Sequence, residues 1–384
     1  MKKRISYGRQ SISARDIAAV SKALRSDALT QGPEVPKFEI ELSKVVGAAH
    51  SVAFNSATSA LHGACHALGV GPGDIVWTSA ISFVASANCA VYCGAEVDFV
   101  DVDPGTGNIS ISALSTKLKE AKLNSTLPKV LIPVHFAGQP CDMREISLLA
   151  KSYGFKVIED ASHALGATYL GEPVGNCRFS EITVFSFHPV KMITTGEGGS
   201  CSTNSPELSR RLVRFRSHGI TREPQESIAS IDGPWSYDQI DLGYNYRMTD
   251  FQASLGTSQL RRLRSFVHKR NAIARSYDAI LKDSPWRPLG INPDRTNSYH
   301  LYVVQNNGGP EARSAIYKKM NQAGITLNVH YRPIYRNTFY AKMEKFDPLD
   351  YPGAESYYSS AVSLPIYPGL GKSNTKKIAK SLGD

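Results

Sequence analysis

The sequence predicts an α/β protein: a mostly parallel mixed sheet flanked by helices, with a smaller α+β C-terminal domain. Three observations predict it. Short β-branched and aromatic runs recur through the first half, at residues 52–54, 75–78, 97–100, 130–134, 156–159 and 182–185. Helical patterns separate several of them, and such alternation gives parallel strands covered on both faces. Beyond residue 250 the pattern changes to one long helix, ending near residue 282, then strand, helix and strand. The 384 residues leave room for two domains at roughly 150 residues each. The expected division is 1–260 for the large domain and 261–384 for the small one.

Taken in order, the first helix starts at Ser13, with Asp16 completing a capping box and Ile17, Val20 and Leu24 forming the apolar stripe. The second carries Phe38, Leu42 and Val45, after a loop that includes Asp27, Ala28, Leu29 and Thr30. The strand ending at Phe54 runs into Asn55-Ser56-Ala57-Thr58-Ser59 and then a helix with Leu61, Ala64, Cys65 and Leu68. Strand, small polar turn and helix make an anion cup, since free N–H groups and the helix dipole face whatever the small side chains admit. A helix opens at Asp142, with Glu145 at capping-box spacing, and closes at Gly154. Ser205-Pro206 opens another, with Leu208, Leu212 and Phe215. Residues 216–235 read as a long loop, of the kind that forms lids or interface arms. Thr249 and Gln252 cap the long helix. The closing unit has a strand at 299–304, a helix from Pro310 to Ala323 stopped by Gly324, and a strand at 326–330.

Composition is that of a globular chain, 42% hydrophobic and 20% charged. No run reaches the roughly 18 apolar residues of a membrane helix, and the basic start turns polar at once, without a signal-peptide core. The six cysteines contain no C-x-x-C pair, so reduced thiols, a cytoplasmic setting and no metal are expected. The net charge of +10 raises the question of nucleic acid. Its densest run, from Arg261 to Arg270, lies in a helical pattern and reads as a solvated helix face, with no aromatic platform beside it. A diphosphate ligand suits that charge equally well.

The most informative stretch is Phe185-Ser186-Phe187-His188-Pro189-Val190-Lys191-Met192-Ile193-Thr194-Thr195-Gly196-Glu197-Gly198-Gly199. It holds a lysine in a loop between two strands, walled by aromatic residues and a proline. Charged loop side chains mostly stay in water. Burial would instead lower the lysine's pKa and leave a neutral amine able to attack a carbonyl. Asp160 closes a buried strand in Glu159-Asp160-Ala161-Ser162-His163-Ala164-Leu165-Gly166, where an acidic residue is either a helix cap or a functional charge.

The string S-F-H-x-x-K-x-x-T-T-G-E-G-G resembles the pyridoxal 5'-phosphate (PLP) lysine segment of the sugar-nucleotide aminotransferases, the DegT/DnrJ/EryC1/StrS type of PLP fold-type-I enzymes. The likeness runs from Tyr7-Gly8-Arg9-Gln10 to Ser363-Leu364-Pro365-Ile366-Tyr367-Pro368-Gly369. It implies that Lys191 forms the Schiff base, that Asp160 pairs with the ring nitrogen and that His163 faces the phenolic oxygen. Ala57, Thr58 and Ser186 would hold the phosphate, Phe83 would stack on the ring, and Asn245 would reach a neighbouring subunit's phosphate. Tyr7, residues 27–30 and the cluster His330, Tyr331, Arg332, Pro333, Ile334 and Tyr335 would contact the nucleotide sugar. Ala80 stands where the family often has proline, which bears on Phe83. The narrower match, through residues 26–32, 54–60 and 133–138 and the His330-Tyr331 motif, is to the branch serving pseudaminic-acid synthesis. It implies L-glutamate and a UDP-4-keto sugar as substrates, pyridoxamine phosphate as the intermediate cofactor form, a homodimer with shared sites, and flagellin glycosylation as the destination.

Overall fold

The computed structural model describes residues 4–227, 233 and 235–383. Part of the loop expected at 216–235, and Met1, Lys2 and Lys3 of the basic start, lie outside the described residues. The chain begins α1 (Ala14–Leu24), α2 (Glu34–Val46), β1 (His50–Phe54), α3 (Ala57–Ala67), β2 (Ile75–Ser79), α4 (Ala85–Tyr92), β3 (Glu96–Val100), α5 (Ile111–Asn124), β4 (Val130–Ile132), α6 (Met143–Tyr153) and β5 (Lys156–Asp160). A hairpin of β6 (Thr168–Tyr169) and β7 (Glu172–Pro173) precedes β8 (Ile182–Ser186), β9 (Gly199–Thr203) and α7 (Pro206–Phe215). Two short strands, β10 (Ile220–Thr221) and β11 (Asp238–Gln239), pair with each other. Then come α8 (Asp250–Leu260), α9 (Leu263–Leu281), β12 (Trp286–Pro288), β13 (Arg295–Thr296), β14 (Tyr302–Asn306), α10 (Gly309–Gln322), α11 (Thr338–Ala341), α12 (Pro352–Ser360), β15 (Ala361–Leu364) and α13 (Lys372–Gly383).

The central sheet has seven strands in the order β1-β9-β8-β5-β4-β2-β3. The pairs from β3 to β8 are parallel, and β9 alone runs against its neighbours β8 and β1. Every residue of β4, β8 and β9 is buried, the consequence of near-continuous apolar runs covered on both faces. The carboxyl ends of β1, β2, β5 and β8 therefore share one edge, where ligands of such sheets gather. The C-terminal sheet is β12-β14-β15. Along its middle segment the side chains alternate: Leu301 and Val303 join the central core, while Tyr302 and Val304 pack with Ile273, Tyr277, Trp286 and Ile316.

Packing corrects several expectations. The apolar stripe of α1 faces outward, with Ile17 61% and Leu24 54% exposed, and Val20 is only half-buried. The buried residues are Ala23 and Asp16, whose carboxylate accepts from Ser258 Oγ at 2.6 Å, Gln259 Nε2 at 2.8 Å and Arg262 Nη1 at 3.0 Å. In α2 the inward position is Val46 and not Val45, because Phe38, Leu42 and Val46 follow the four-residue spacing of one face. Asp142 and Glu145 make no capping box at α6: Arg295 Nη2 takes Asp142 at 2.6 Å, and Tyr169 donates to Glu145 at 3.2 Å. The long helix is two helices, broken where Arg262 N–H turns back to Gln259 O at 2.9 Å. The strand expected at 299 begins only at Tyr302, Tyr299 having φ 52°. Residues 326–330 make no strand, only a single bridge from Asn328 to Ser363. Arg270, expected on a solvated face, is 1% exposed.

Candidate active site

Lys191 lies in the loop from β8 to β9, and hydrogen bonds close that loop around it. Thr195 N–H and Thr194 Oγ1 both donate to Phe187 O at 3.0 Å, Phe187 N–H donates to Gly198 O at 2.9 Å, and Lys191 N–H donates to His188 O at 2.9 Å. The residue is half-buried, yet its ammonium is crowded by protein. Desolvation pulls its pKa from 10.5 to about 8, against the opposing attraction of the Asp160 carboxylate. About one molecule in ten would then carry a neutral amine at pH 7.

Asp160 ends β5 and is buried. Its Oδ2 accepts from Ser86 Oγ at 2.6 Å and its Oδ1 from Ser162 N–H at 3.1 Å. Three histidines surround the lysine's charge. His163, His300 and His330 are all buried, and burial followed by the Lys191 cation pushes each below the usual imidazole range, His330 to about 3. All three are thereby held toward the neutral form. The His163 and His300 rings lie 4.3 Å apart, His163 Nε2 is 3.2 Å from the Tyr331 hydroxyl, and His163 Nδ1 is buried without a partner among the described residues. Tyr7 packs on His330 at 5.5 Å, and Phe83, 56% exposed, forms the rim 6.3 Å from Tyr331.

The expected strand, small polar turn and helix form. Ser56 caps α3, its Oγ taking Ser59 N–H at 3.1 Å, and no described residue accepts from the N–H of Ala57 or Thr58. Gly199 lies against this turn so closely that a Cβ there would sit 2.5 Å from Ala57 N and from Ser56 backbone. Ser186, at the end of β8, is buried.

The fold thus brings Lys191, Asp160, His163, Tyr7, His330 and Tyr331 together, with Phe83 at the rim. Within one chain, residues 27–30, Asn245, Arg332, Pro333, Ile334 and Tyr335 bond or pack elsewhere. Residues 27–30 form a largely exposed turn fastened elsewhere, Leu29 O accepting from Asp250 N–H at 2.9 Å and Thr30 bridging to Thr249. Asn245 is exposed and bridges to Ser217. Arg332 points to solvent. Pro333, Ile334 and Tyr335 are core residues, with Tyr335 donating to Glu355 at 2.7 Å and stacking on Tyr351 at 4.5 Å. Sequence reasoning missed Ser86, His300 and Arg270. A serine early in a helix, a histidine before a strand and one arginine among many carry no distinguishing signal.

The residues present fit PLP. A depressed lysine amine suits its aldehyde, a buried carboxylate suits a protonated ring nitrogen, unpaired amides at α3 suit its phosphate, and the orphaned His163 Nδ1 supplies an unused polar atom. The model of the DegT/DnrJ/EryC1/StrS aminotransferase family matches residues 10–383. A UDP-4-amino-4,6-dideoxy-N-acetyl-beta-L-altrosamine transaminase of Campylobacter jejuni is 37% identical over 382 residues, covering 98% of this chain and 96% of its own. The spore coat polysaccharide biosynthesis protein SpsC of Bacillus subtilis is 35% identical over 383 residues, at 98% and 96% coverage. Among solved structures, Helicobacter pylori PseC, an aminotransferase of pseudaminic-acid biosynthesis, superposes with a TM-score of 0.90 at 32% identity, covering 99% of this chain and 98% of its own.

Proposed function

Since this chain belongs to the DegT/DnrJ/EryC1/StrS aminotransferase family, we propose that it moves the amino group of L-glutamate to the C4 ketone of UDP-2-acetamido-2,6-dideoxy-β-L-arabino-hex-4-ulose. The products are UDP-4-amino-4,6-dideoxy-N-acetyl-β-L-altrosamine and 2-oxoglutarate. The chain is a PLP-dependent sugar-nucleotide aminotransferase; the particular sugar is our reading. When bound, the cofactor supplies an aldehyde that accepts an amino group and a ring that withdraws electrons from the carbon losing its proton.

The chain's residues do the rest. Lys191 anchors the cofactor, then as a free amine takes the proton from the α-carbon of glutamate, and in the second half-reaction returns one at C4 of the sugar. Asp160 holds a proton at the ring nitrogen. His163, kept neutral, bonds on the phenolic-oxygen side. Ala57, Thr58 and Ser186 grip the phosphate, and Phe83 covers the ring face. Tyr7, His330 and Tyr331 line the sugar side. The observation carrying this assignment is the depressed Lys191 amine interacting with the buried Asp160 carboxylate at the shared carboxyl edge.

The working unit we propose is a cytoplasmic homodimer. Ile17 and Leu24 on α1, with Ile12 before it and Leu29 after it, expose apolar side chains that a second copy would cover. Asn245 and residues 27–30, whose backbones bond to 217 and 249–250 in their own chain, would then serve the partner's site. A surface sugar, on flagellin or elsewhere, would be the destination of the product.

Borohydride reduction followed by peptide mass spectrometry should find the cofactor on Lys191, and Lys191→Ala should abolish 2-oxoglutarate production from glutamate and the keto sugar. Near-normal turnover by that variant refutes the mechanism. A second reading, amination of another UDP- or dTDP-4-keto-6-deoxy sugar, is favoured by one observation: the spore-coat relative is 35% identical, against 37% for the altrosamine transaminase. Turnover across a panel of 4-keto sugars separates the two.

A further inference from the structure

Arg270, on α9, is among the largest fully buried side chains. Its Nη1 donates to Tyr299 O at 3.1 Å, His300 O at 3.2 Å and Ile366 O at 3.0 Å, and its Nη2 reaches Val190 O at 3.4 Å, long for a hydrogen bond. No carboxylate among the described residues pairs with it. Burying an unpaired cation is costly, and burial alone pulls this guanidinium down to about 10. A fold that wanted only apolar packing here would do better with methionine or leucine.

What the guanidinium does instead follows from where its acceptors sit. All four oxygens lie outside regular strands, and no described N–H bonds any of them otherwise. Val190 precedes Lys191. His300 lays its ring 4.3 Å from His163. Ile366 takes its own N–H to Tyr7 O at 3.0 Å. One planar fork therefore satisfies the backbone beside three residues of the site, a task for which lysine's single compact head is poorly shaped. We infer that Arg270 is a positioning residue for the aminotransferase reaction, fastening the Lys191 loop to the C-terminal backbone that carries His300 and supports Tyr7. Its charge also opposes a second cation on His300.

The inference rests on Lys191 being the cofactor lysine, and its test must not depend on that alone. In the holoenzyme, Arg270→Lys keeps the charge and loses the fork. It should lower kcat at least tenfold with less than a threefold change in KM for either substrate, as small misplacements of reacting groups do. Amide exchange should accelerate in peptides spanning 188–194 and 297–301, while β2 and β4 keep their protection. Arg295→Lys, which disturbs another buried arginine bonded to Pro140 O, should lose stability without that drop in kcat. An unchanged kcat in Arg270→Lys, or acceleration spread evenly over the chain, overturns the inference. Should the variant not fold, exchange in the unmutated holoenzyme under mild denaturant decides. The two segments must open with the same free energy and denaturant dependence, and independent opening overturns the proposal. The exchange result stands even if turnover by Lys191→Ala refutes the cofactor assignment, so the two failures are distinguishable.

Discussion

Ser86 Oγ sits 2.6 Å from Oδ2 of Asp160, with Ser82 Oγ a further 2.7 Å behind it. The carboxylate proposed to face the cofactor's ring nitrogen is thus aimed by a helix, α4, that starts just beyond Phe83. Neither side of that arrangement is free to turn.

Removing the hydroxyl tests it. A hydrogen bond to a charged group contributes about 1.5–3 kcal/mol, so Ser86→Ala should weaken retention of PLP about tenfold and lower the melting temperature by several degrees. Cofactor titration by fluorescence, with a parallel melt, measures both. Unchanged affinity would show that Asp160 needs no help in holding its orientation.

The Lys191 amine should cost the cofactor-free protein stability. Its folded pKa of about 8 lies below the ordinary 10.5, so between those values the folded chain binds fewer protons than the unfolded one. Stability of the cofactor-free form should therefore rise with pH across about 8 to 10.5. Lys191→Met should remove that rise and stabilise the cofactor-free chain by about 2–3 kcal/mol at pH 7. Denaturant unfolding at pH 7 and pH 10 checks the sign and the size.

Gly199 tolerates no side chain. A Cβ there meets backbone atoms of Ser56 and Ala57 at 2.5 Å, which cannot swing aside as a flexible side chain would. Gly199→Ala should cost about 1–3 kcal/mol through overpacking and shift the start of α3, weakening PLP binding. A melt and a cofactor titration read the two effects separately.

Asp16 ties α1 to α8. Burial alone would raise its pKa, but bonds from Ser258 and Ser13 and the Arg262 charge outweigh that and hold it below the usual 3.8. Its contribution is present above pH 3.8 and is lost as pH falls through the folded value. Asp16→Asn should destabilise the chain at pH 7 by about 1–3 kcal/mol, and its stability should fall less than the parent's on acidification below pH 4. Urea melts across that range provide the comparison.

The chemistry was more legible than the packing. A lysine loop between two buried strands and an aspartate at a strand end are local patterns, and local patterns survive in a sequence. The caps at Ser13, Ser205 and Thr249 were readable for the same reason. What failed depended on partners distant in the chain. Ile17 and Leu24 follow helical periodicity and still face out, because Asp16 found three donors on the segment 258–262. Arg270 looks like its solvated neighbours until residues 299, 300 and 366 close over it. The strand expected at 326–330 had suitable composition but no neighbour along most of its length. Residues 330–335 mixed two roles in one string, and only tertiary packing assigns 333–335 to the core.

The opening residues of the chain are stitched into its far end: Ile5 exchanges backbone hydrogen bonds with the segment 324–326, and Tyr7 O receives Ile366 N–H. Anyone preparing this enzyme should therefore keep affinity tags and fusion partners off the leading end. A bulky extension there would pull on a seam only a few residues from the sugar side of the proposed catalytic pocket.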